Sequence, residues 1–347
     1  MFYIHQTYCI SPQKTFQQAS LETLNPPTKK RLLAIEPAYD GIPPGILRRM
    51  GKAIRMGVGA AMPILKSNSP VNGIIIGTAK GGMEDCIKFL NQIVQYDEGL
   101  LAPGNFVQST SNAIAAQLGL LSHNNSYNTT HVHRGLAFEN AVIDSIMQLN
   151  EFPGTQYLLG GVDEISDFNY NIETLAGAYK KESVSNEHLY DTDSPGSIAG
   201  EGAAMFLVNT QKENAIAKLQ AIKILHTEDQ GIVNTGLQQF IAAHLPPGKK
   251  IDLLLSGENG DNRTLKFYTG CEGLMDKHTA VIRFKHLCGD VPTSAAFGLW
   301  LACYILQKGA IPTHMIKKPV TGSPCNTILL YNNYKGLQHS FMLVSGE

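Results

Sequence analysis

Short apolar runs and longer amphipathic stretches alternate along this chain. Ala34-Ile-Glu-Pro-Ala-Tyr39 reads as an extended segment ending in a turn, and Ile42-Pro43-Pro44 adds a second turn signal. From Gly45 to Leu65 apolar residues recur at helical spacing, which predicts a helix. Val71-Asn-Gly-Ile-Ile-Ile-Gly77 is a glycine-bounded run of β-branched residues and suits a strand buried on both faces. Met83 to Gln95 reads as a helix, and Ser109-Thr-Ser-Asn112 can cap another through Leu120. A further helix is expected over Leu136 to Leu149. Buried strands are expected at Gln156-Tyr-Leu-Leu159 and Ala203 to Val208.

Asn209-Thr-Gln-Lys-Glu-Asn214 is polar and marks a boundary, which divides the chain into residues 1–210 and 211–347. The second part repeats the style of the first. Leu219 to His226 and Ile251 to Leu255 read as strands, Val233 to Leu245 and Thr293 to Gln307 as helices, and two strands near Asn326–Leu330 and Ser340–Val344 close the chain. Strands alternating with helices predict an α/β protein with parallel or mixed sheets, built from two similar halves. With 347 residues and 43% apolar content, the chain can bury a large core.

Charge narrows the function classes. A net charge of −1 argues against nucleic acid or a polybasic membrane surface as a partner. The six cysteines show no CxxC and no paired spacing, as expected of reduced thiols in a cytoplasmic protein. Met1-Phe-Tyr-Ile-His5 lacks the build of a signal peptide, and no apolar run approaches the ~20 residues of a membrane span. Gly77-Thr-Ala-Lys-Gly81-Gly82 follows a strand but fits neither GxGxxG nor GxxxxGK[ST], so no nucleotide cofactor is expected. His286 and Cys288 have no further ligands clustered near them in sequence, and no metal is expected.

The most patterned stretches are Gly160-Gly161-Val162-Asp163-Glu164 and Ser194-Pro-Gly196-Ser-Ile-Ala-Gly200-Glu201-Gly202-Ala203. In this order they resemble the β-ketoacyl synthases of the thiolase fold. Arg48-Arg49-Met50, Gly77 to Gly82 and Ser109 to Ala116 agree with further segments of that family, so the resemblance runs from about residue 34 to the end. It implies a layered αβαβα architecture.

The same resemblance points to degenerate catalytic positions. The family's nucleophile is a cysteine at the start of a buried helix, where the helix dipole and backbone N–H groups lower the thiol pKa and hold an oxyanion. Here that slot falls on His133, with His131 as the fallback, in Tyr127-Asn-Thr-Thr-His131-Val-His133-Arg134-Gly135. No cysteine lies between Cys86 and Cys271. The helix after His133 is expected to begin near Gly135. Gly257 stands in the place of the first family histidine. Lys285 and Gly289 are kept, but Asp290 replaces the second histidine. Asn333-Tyr334-Lys335-Gly336-Leu337 replaces the loop that lines the oxyanion hole.

The resemblance therefore implies a chain length factor, the partner of a catalytically complete ketosynthase acting on acyl carrier protein-bound intermediates, of the sort associated with polyene pigments. Such a chain is not expected to condense substrates by itself. An alternative is a stand-alone acyltransferase or decarboxylase that uses His133 instead of the cysteine, although an acyl-imidazole would leak to water. A structural homodimer is a third reading. Blander roles are open at each position. His133 can be a satisfied core histidine, Arg134 can pair with Glu139 or a partner, and Lys285 and Asp290 can form a structural pair. Glu164 and Glu201 can order the backbone behind the site. Thiolase-fold proteins pair through an edge strand near the Gly-Gly turn, here expected to be Tyr157-Leu-Leu159, with more than about 2,000 Å² buried.

Overall fold

The computed structural model describes residues 1–68, 70–99, 101, 103–319 and 325–346. The first half runs β1 (Phe2–Ile10), β2 (Arg31–Leu32), α1 (Pro44–Leu47), α2 (Lys52–Ser67), β3 (Gly73–Gly77), α3 (Met83–Gln95), α4 (Pro103–Gln108), α5 (Ala113–Ser122), β4 (Tyr127–His131), α6 (Ala137–Glu151), β5 (Gln156–Asp163), α7 (Asp167–Leu175), β6 (Ala199–Gly200) and β7 (Gly202–Asn209). The second half runs β8 (Ala217–His226), α8 (Gln230–His244), β9 (Leu253–Ser256), α9 (Leu265–Gly273), β10 (Ala280–Arg283), α10 (Lys285–Cys288), α11 (Ser294–Lys308), β11 (Ile316–Lys318), β12 (Thr327–Tyr334) and β13 (Gln338–Ser345).

The two halves have the same topology. The first orders its strands β4-β3-β5-β7-β1, the second β10-β9-β12-β13-β8, with β11 added at the outer edge. In each, the first three strands are parallel and the last two antiparallel. Antiparallel pairing of Phe2, Tyr3 and Ile4 with Leu219, Lys218 and Ala217 joins the half-sheets.

Strand alternation builds the layers. Along β3, Ile75 enters the central core while Ile74 and Ile76 face α2 and α5. Leu159 and Phe206 also point to the centre, and Leu158 and Met205 away from it. In the second half Leu253 and Leu255 point inward, and Leu254 joins the core under α8 and α9. Helices α6 and α11 fill the middle, with α11 buried from Ser294 to Cys303. The result is the layered αβαβα arrangement, and the continuous apolar runs of the strands follow from burial on both faces.

Four sequence expectations need correction. The helix expected over 45–65 is two, because the chain breaks at Arg48–Gly51 and restarts with Gly51 in extended conformation. Asn112 occupies the N-cap of α5, but its side chain caps no backbone N–H and accepts from Thr110 instead. The expected edge strand, Tyr157–Leu159, lies inside β5, which is paired to β3 on one side and β7 on the other. The open edge of the first half is β4, a polar segment that hydrophobic patterning passes over. Finally, α6 begins at Ala137, after a single 3-10 turn over Arg134–Leu136.

Candidate functional site

The turn expected to carry the nucleophile slot lies between the end of β4 and the start of α6. His133 flanks the 3-10 turn and is exposed, and its Nδ1 lies 2.9 Å from Asn140 Nδ2. His131 ends β4, and its Nε2 lies 2.8 Å from Asp144 Oδ2, a carboxylate that also takes the hydroxyl of Tyr127. Arg134 has a φ of 49°, a left-handed conformation uncommon for a residue with a side chain, and its side chain is exposed. Glu139 turns inward instead, accepting a 2.7 Å hydrogen bond from Ser340 Oγ, so no Arg134–Glu139 pair forms.

The turn is filled from the opposite half of the chain. Gly135 N–H donates to Gln338 Oε1 at 2.9 Å. A Cβ on Gly135 would lie 2.2 Å from Tyr334 Cβ and 2.3 Å from its Cγ. Lys335 and Gly336 both have positive φ, 56° and 70°, and with Leu337 they form a tight three-residue turn between β12 and β13. This hairpin occupies the place where the resemblance puts an open loop.

The other sequence-chosen residues come together beneath the turn. Lys285 is fully buried, and its Nζ donates to Asp290 Oδ1 at 2.7 Å. Asn259 Nδ2 reaches Asp290 Oδ2 at 3.3 Å. Gly257 sits against β12: its N–H donates to the Tyr331 carbonyl, and an added Cβ would meet Asn332 Oδ1 at 2.8 Å. The position therefore has no room for an imidazole unless β12 shifts. His286 and Cys288 do not approach a common centre. His286 bridges Tyr190 and His314, while Cys288 donates to backbone carbonyls.

Gly160 and Gly161 lie within β5 rather than in a turn, and Glu164 and Glu201 stand just beyond the end of that strand. Glu164 Oε2 accepts the Ala53 N–H at the start of α2. Burial pushes its carboxyl up to about 7, opposed by that hydrogen bond and reinforced by Asp85, Glu84 and Glu201. Glu201 is fully buried, accepts N–H groups from Ala34 and Ile165, and pairs with Lys52. Asp163 Oδ1 accepts from Thr78 Oγ1 and from the N–H groups of Ala79 and Lys80, fixing the loop after β3.

The sequence reading missed Gln338 as a site residue and named Glu139 only as a possible partner of Arg134. Glu139 carried one usable signal, a lone carboxylate on the apolar face of Ala137-Phe-Glu-Asn-Ala-Val142. It is completely buried, and its Oε2 has no hydrogen-bond partner. Burial pushes its carboxyl up to about 7, with Ser340, Asn332 and Lys285 pulling the other way.

The folded state thus holds a proton on Glu139 that the unfolded chain releases above its ordinary value of about 4.3. Its contribution to stability is complete below that value and is lost as pH rises through about 7. His286, held by burial at about 3, and His339, at about 4, act in the opposite sense, favouring the fold above about 6.5. Glu139→Gln should therefore gain stability relative to the unmodified chain as pH rises from 5 to 8, by up to about 3 kcal/mol. Urea unfolding at both pH values measures this, and an equal difference at both would refute it.

A cleft of about 300 Å³ opens beside the hairpin, lined by Asn259, Thr264, Phe267, Asp290 and Lys335 among others. Among the described residues no helix is long and apolar enough to cross a membrane.

Comparison with known proteins agrees with this architecture. Residues 23–179 match the family model described as the β-ketoacyl synthase N-terminal domain. No curated protein matches the sequence. The ishigamide ketosynthase/chain length factor superposes with a TM-score of 0.76 at 13% identity, covering 100% of this chain and 99% of the other. The ketosynthase ApeO in complex with its chain length factor ApeC, from Xenorhabdus doucetiae, gives 0.76 at 11% identity, covering 100% and 98%. A type II polyketide acyl carrier protein in complex with its hexaketide-bound ketosynthase, AntDE:AntF, gives 0.73 at 15% identity, covering 100% and 99%. Residues 23–179 thus match the β-ketoacyl synthase N-terminal domain, and the whole chain takes the thiolase-like fold of these ketosynthase structures.

Proposed function

We propose that this chain is a chain length factor-like subunit that pairs with an active β-ketoacyl synthase in the cytoplasm. Together they would act on acyl carrier protein-bound intermediates of a polyketide, polyene or fatty acid-type pathway. Residues 1–210 and 211–347 are its two halves. The observation that carries this reading is the filled turn. Tyr334 lies on Gly135, Gln338 takes the Gly135 N–H, and Gly257 has no space for a histidine. A condensing site needs a nucleophile, a free oxyanion donor and a proton-transferring group together. Here the slot residue His133 points to solvent, and the position of the second histidine is an ion pair. The exposure of His133 also argues against the alternative, a stand-alone acyltransferase or decarboxylase built on its imidazole, because that ring lies outside the buried cluster.

The partner surface in this reading is β4. Its outer edge is unpaired among the described strands, and it carries no lysine, proline or bulge to block strand addition. Tyr127, Val132 and Met147, at 39%, 54% and 63% exposure, flank it with apolar surface. Co-expression with a ketosynthase encoded beside it should give a heterodimer on size exclusion. The pair should extend malonyl-carrier substrates that neither chain extends alone. Without that partner the same edge should pair with its own copy. Thr129→Lys puts a charge in the middle of the edge and should abolish pairing in either case, as read by light scattering. Chain extension by the purified single chain would overturn the proposal, and so would a heterodimer insensitive to Thr129→Lys.

A further inference from the structure

The two half-sheets part just after they join. On its β8 side β1 pairs only through Phe2, Tyr3 and Ile4. At His5 its register against β7 shifts, between Ile4 and Gln6. From there a groove of about 650 Å³ opens, lined by His5 to Tyr8, by residues of the 15–19 segment and by the last turns of α11. Its volume lies within the ~300–1,000 Å³ of small-molecule sites. Two local irregularities shape it. Bulges in a strand re-aim side chains, and they gather at sheet edges and beside active sites. Gln17, on the groove wall, has a φ of 59°, a left-handed conformation uncommon for a residue with a side chain. The next residue closes that turn, as Gln18 N–H donates to the Phe16 carbonyl at 2.7 Å.

The lining selects the ligand. Among the described lining residues none is acidic, so nothing there neutralises a cation, and only Lys308 is a permanent cation, too little for a polyanion. Glutamine, threonine and tyrosine dominate, which is too polar a wall for an acyl chain. Gln17, Gln18 and Gln307 are exposed, and each amide offers two donors and an acceptor. His5 Nε2 lies 2.7 Å from Asn209 Oδ1 and 3.1 Å from the Gln211 carbonyl, both acceptors, so Nε2 carries the proton and Nδ1 is left to accept. Part of the wall is aromatic, where Tyr304 stacks on Trp300 with ring centres 5.6 Å apart. A sugar ring matches both halves of this lining, since it carries hydroxyls at its rim and apolar C–H groups on its face. We propose that the groove is a carbohydrate-binding site, in which a pyranose lies against Tyr304 and Trp300 and the amides of Gln17, Gln18 and Gln307 hold its hydroxyls. The groove shares no lining residue with the cleft at Asp290 and none with β4, so the proposal does not depend on pairing with a ketosynthase.

The chain carries its own probe. Trp300 is its only tryptophan, so tryptophan emission reports on this wall. Glucose, maltose, cellobiose and N-acetylglucosamine are titrated separately into the full chain. At least one should give a saturable change in that emission, and saturation-transfer NMR should show its ring protons in contact with the protein. Gln18→Ala/Gln307→Ala, at two exposed positions, should weaken that affinity at least about tenfold, as the loss of two hydrogen bonds implies, and should leave the unfolding midpoint in urea unchanged. The absence of a saturable response to any of these sugars overturns the proposal. So does binding that the double variant leaves intact, or an equal response to glycerol, which has hydroxyls but no ring.

Discussion

Asp290→Asn should lower the unfolding free energy by about 3–5 kcal/mol. Lys285 is fully buried and has its carboxylate contact from Asp290, at 2.7 Å. An ion pair in such a place gains little over an apolar pair, but removing one partner strands the other charge in a medium that cannot solvate it. Asparagine keeps the shape and can still meet Asn259, which isolates the loss of charge. The double variant Lys285→Met/Asp290→Asn removes both charges and should recover half or more of the loss. Urea unfolding of both variants beside the unmodified chain at pH 7.5 measures the effect. A loss below about 1 kcal/mol for Asp290→Asn would show that the ammonium finds another partner, and the account of this cluster would be wrong.

Gly135→Ala should cost about 2–4 kcal/mol, the range of a forced overpacking in a core that cannot yield. The new methyl would sit 2.2 Å from Tyr334 Cβ, 2.3 Å from Cγ and 2.7 Å from Cδ1. Tyr334 is held by its pairing with Gln338 and by the three-residue turn, so the clash is with a fixed wall. Because the nearest atom is Cβ, trimming the ring does not remove the conflict. Tyr334→Ala should leave most of the penalty in place, whereas Tyr334→Gly should relieve it. A double-mutant cycle expresses this as a favourable coupling for Gly135→Ala with Tyr334→Gly and little for Gly135→Ala with Tyr334→Ala. The reverse pattern would mean that the hairpin is not seated on the turn. That would weaken the proposal of a filled condensing site.

The central strands and helices were legible because each element's burial is written locally. A strand covered on both faces has to be a continuous apolar run, and Ile74-Ile-Ile76, Tyr157-Leu-Leu159 and Leu253-Leu-Leu255 are such runs. The family motifs were legible for a similar reason. Gly160 and Gly161 leave room for the side chains of Met205, Ala296 and Phe138, Gly200 and Gly202 lie against the backbones of Cys288 and Ile10, and Glu201 between them collects N–H groups. Six strands were not read from the sequence: β1, β2, β4, β6, β10 and β11. β4, Tyr-Asn-Thr-Thr-His, owes its existence to pairing with β3 rather than to apolar pattern. β1 is interrupted by a register shift between Ile4 and Gln6 that spoils its alternation.

The state of the site was decided by contacts across the whole chain. Spacing placed His133 in the nucleophile slot, but only the fold showed that it points outward and that Glu139 points inward. Gln338 reaches Gly135 across 203 residues and Ser340 reaches Glu139 across 201. No local pattern encodes such pairings, because they arise only when the two halves close on each other. Sequence by itself therefore determined the alternation of strands and helices and pointed to the candidate positions. Tertiary structure determined that Tyr334 and Gln338 close on the Gly135 turn and that β4 is the open edge of the described sheet.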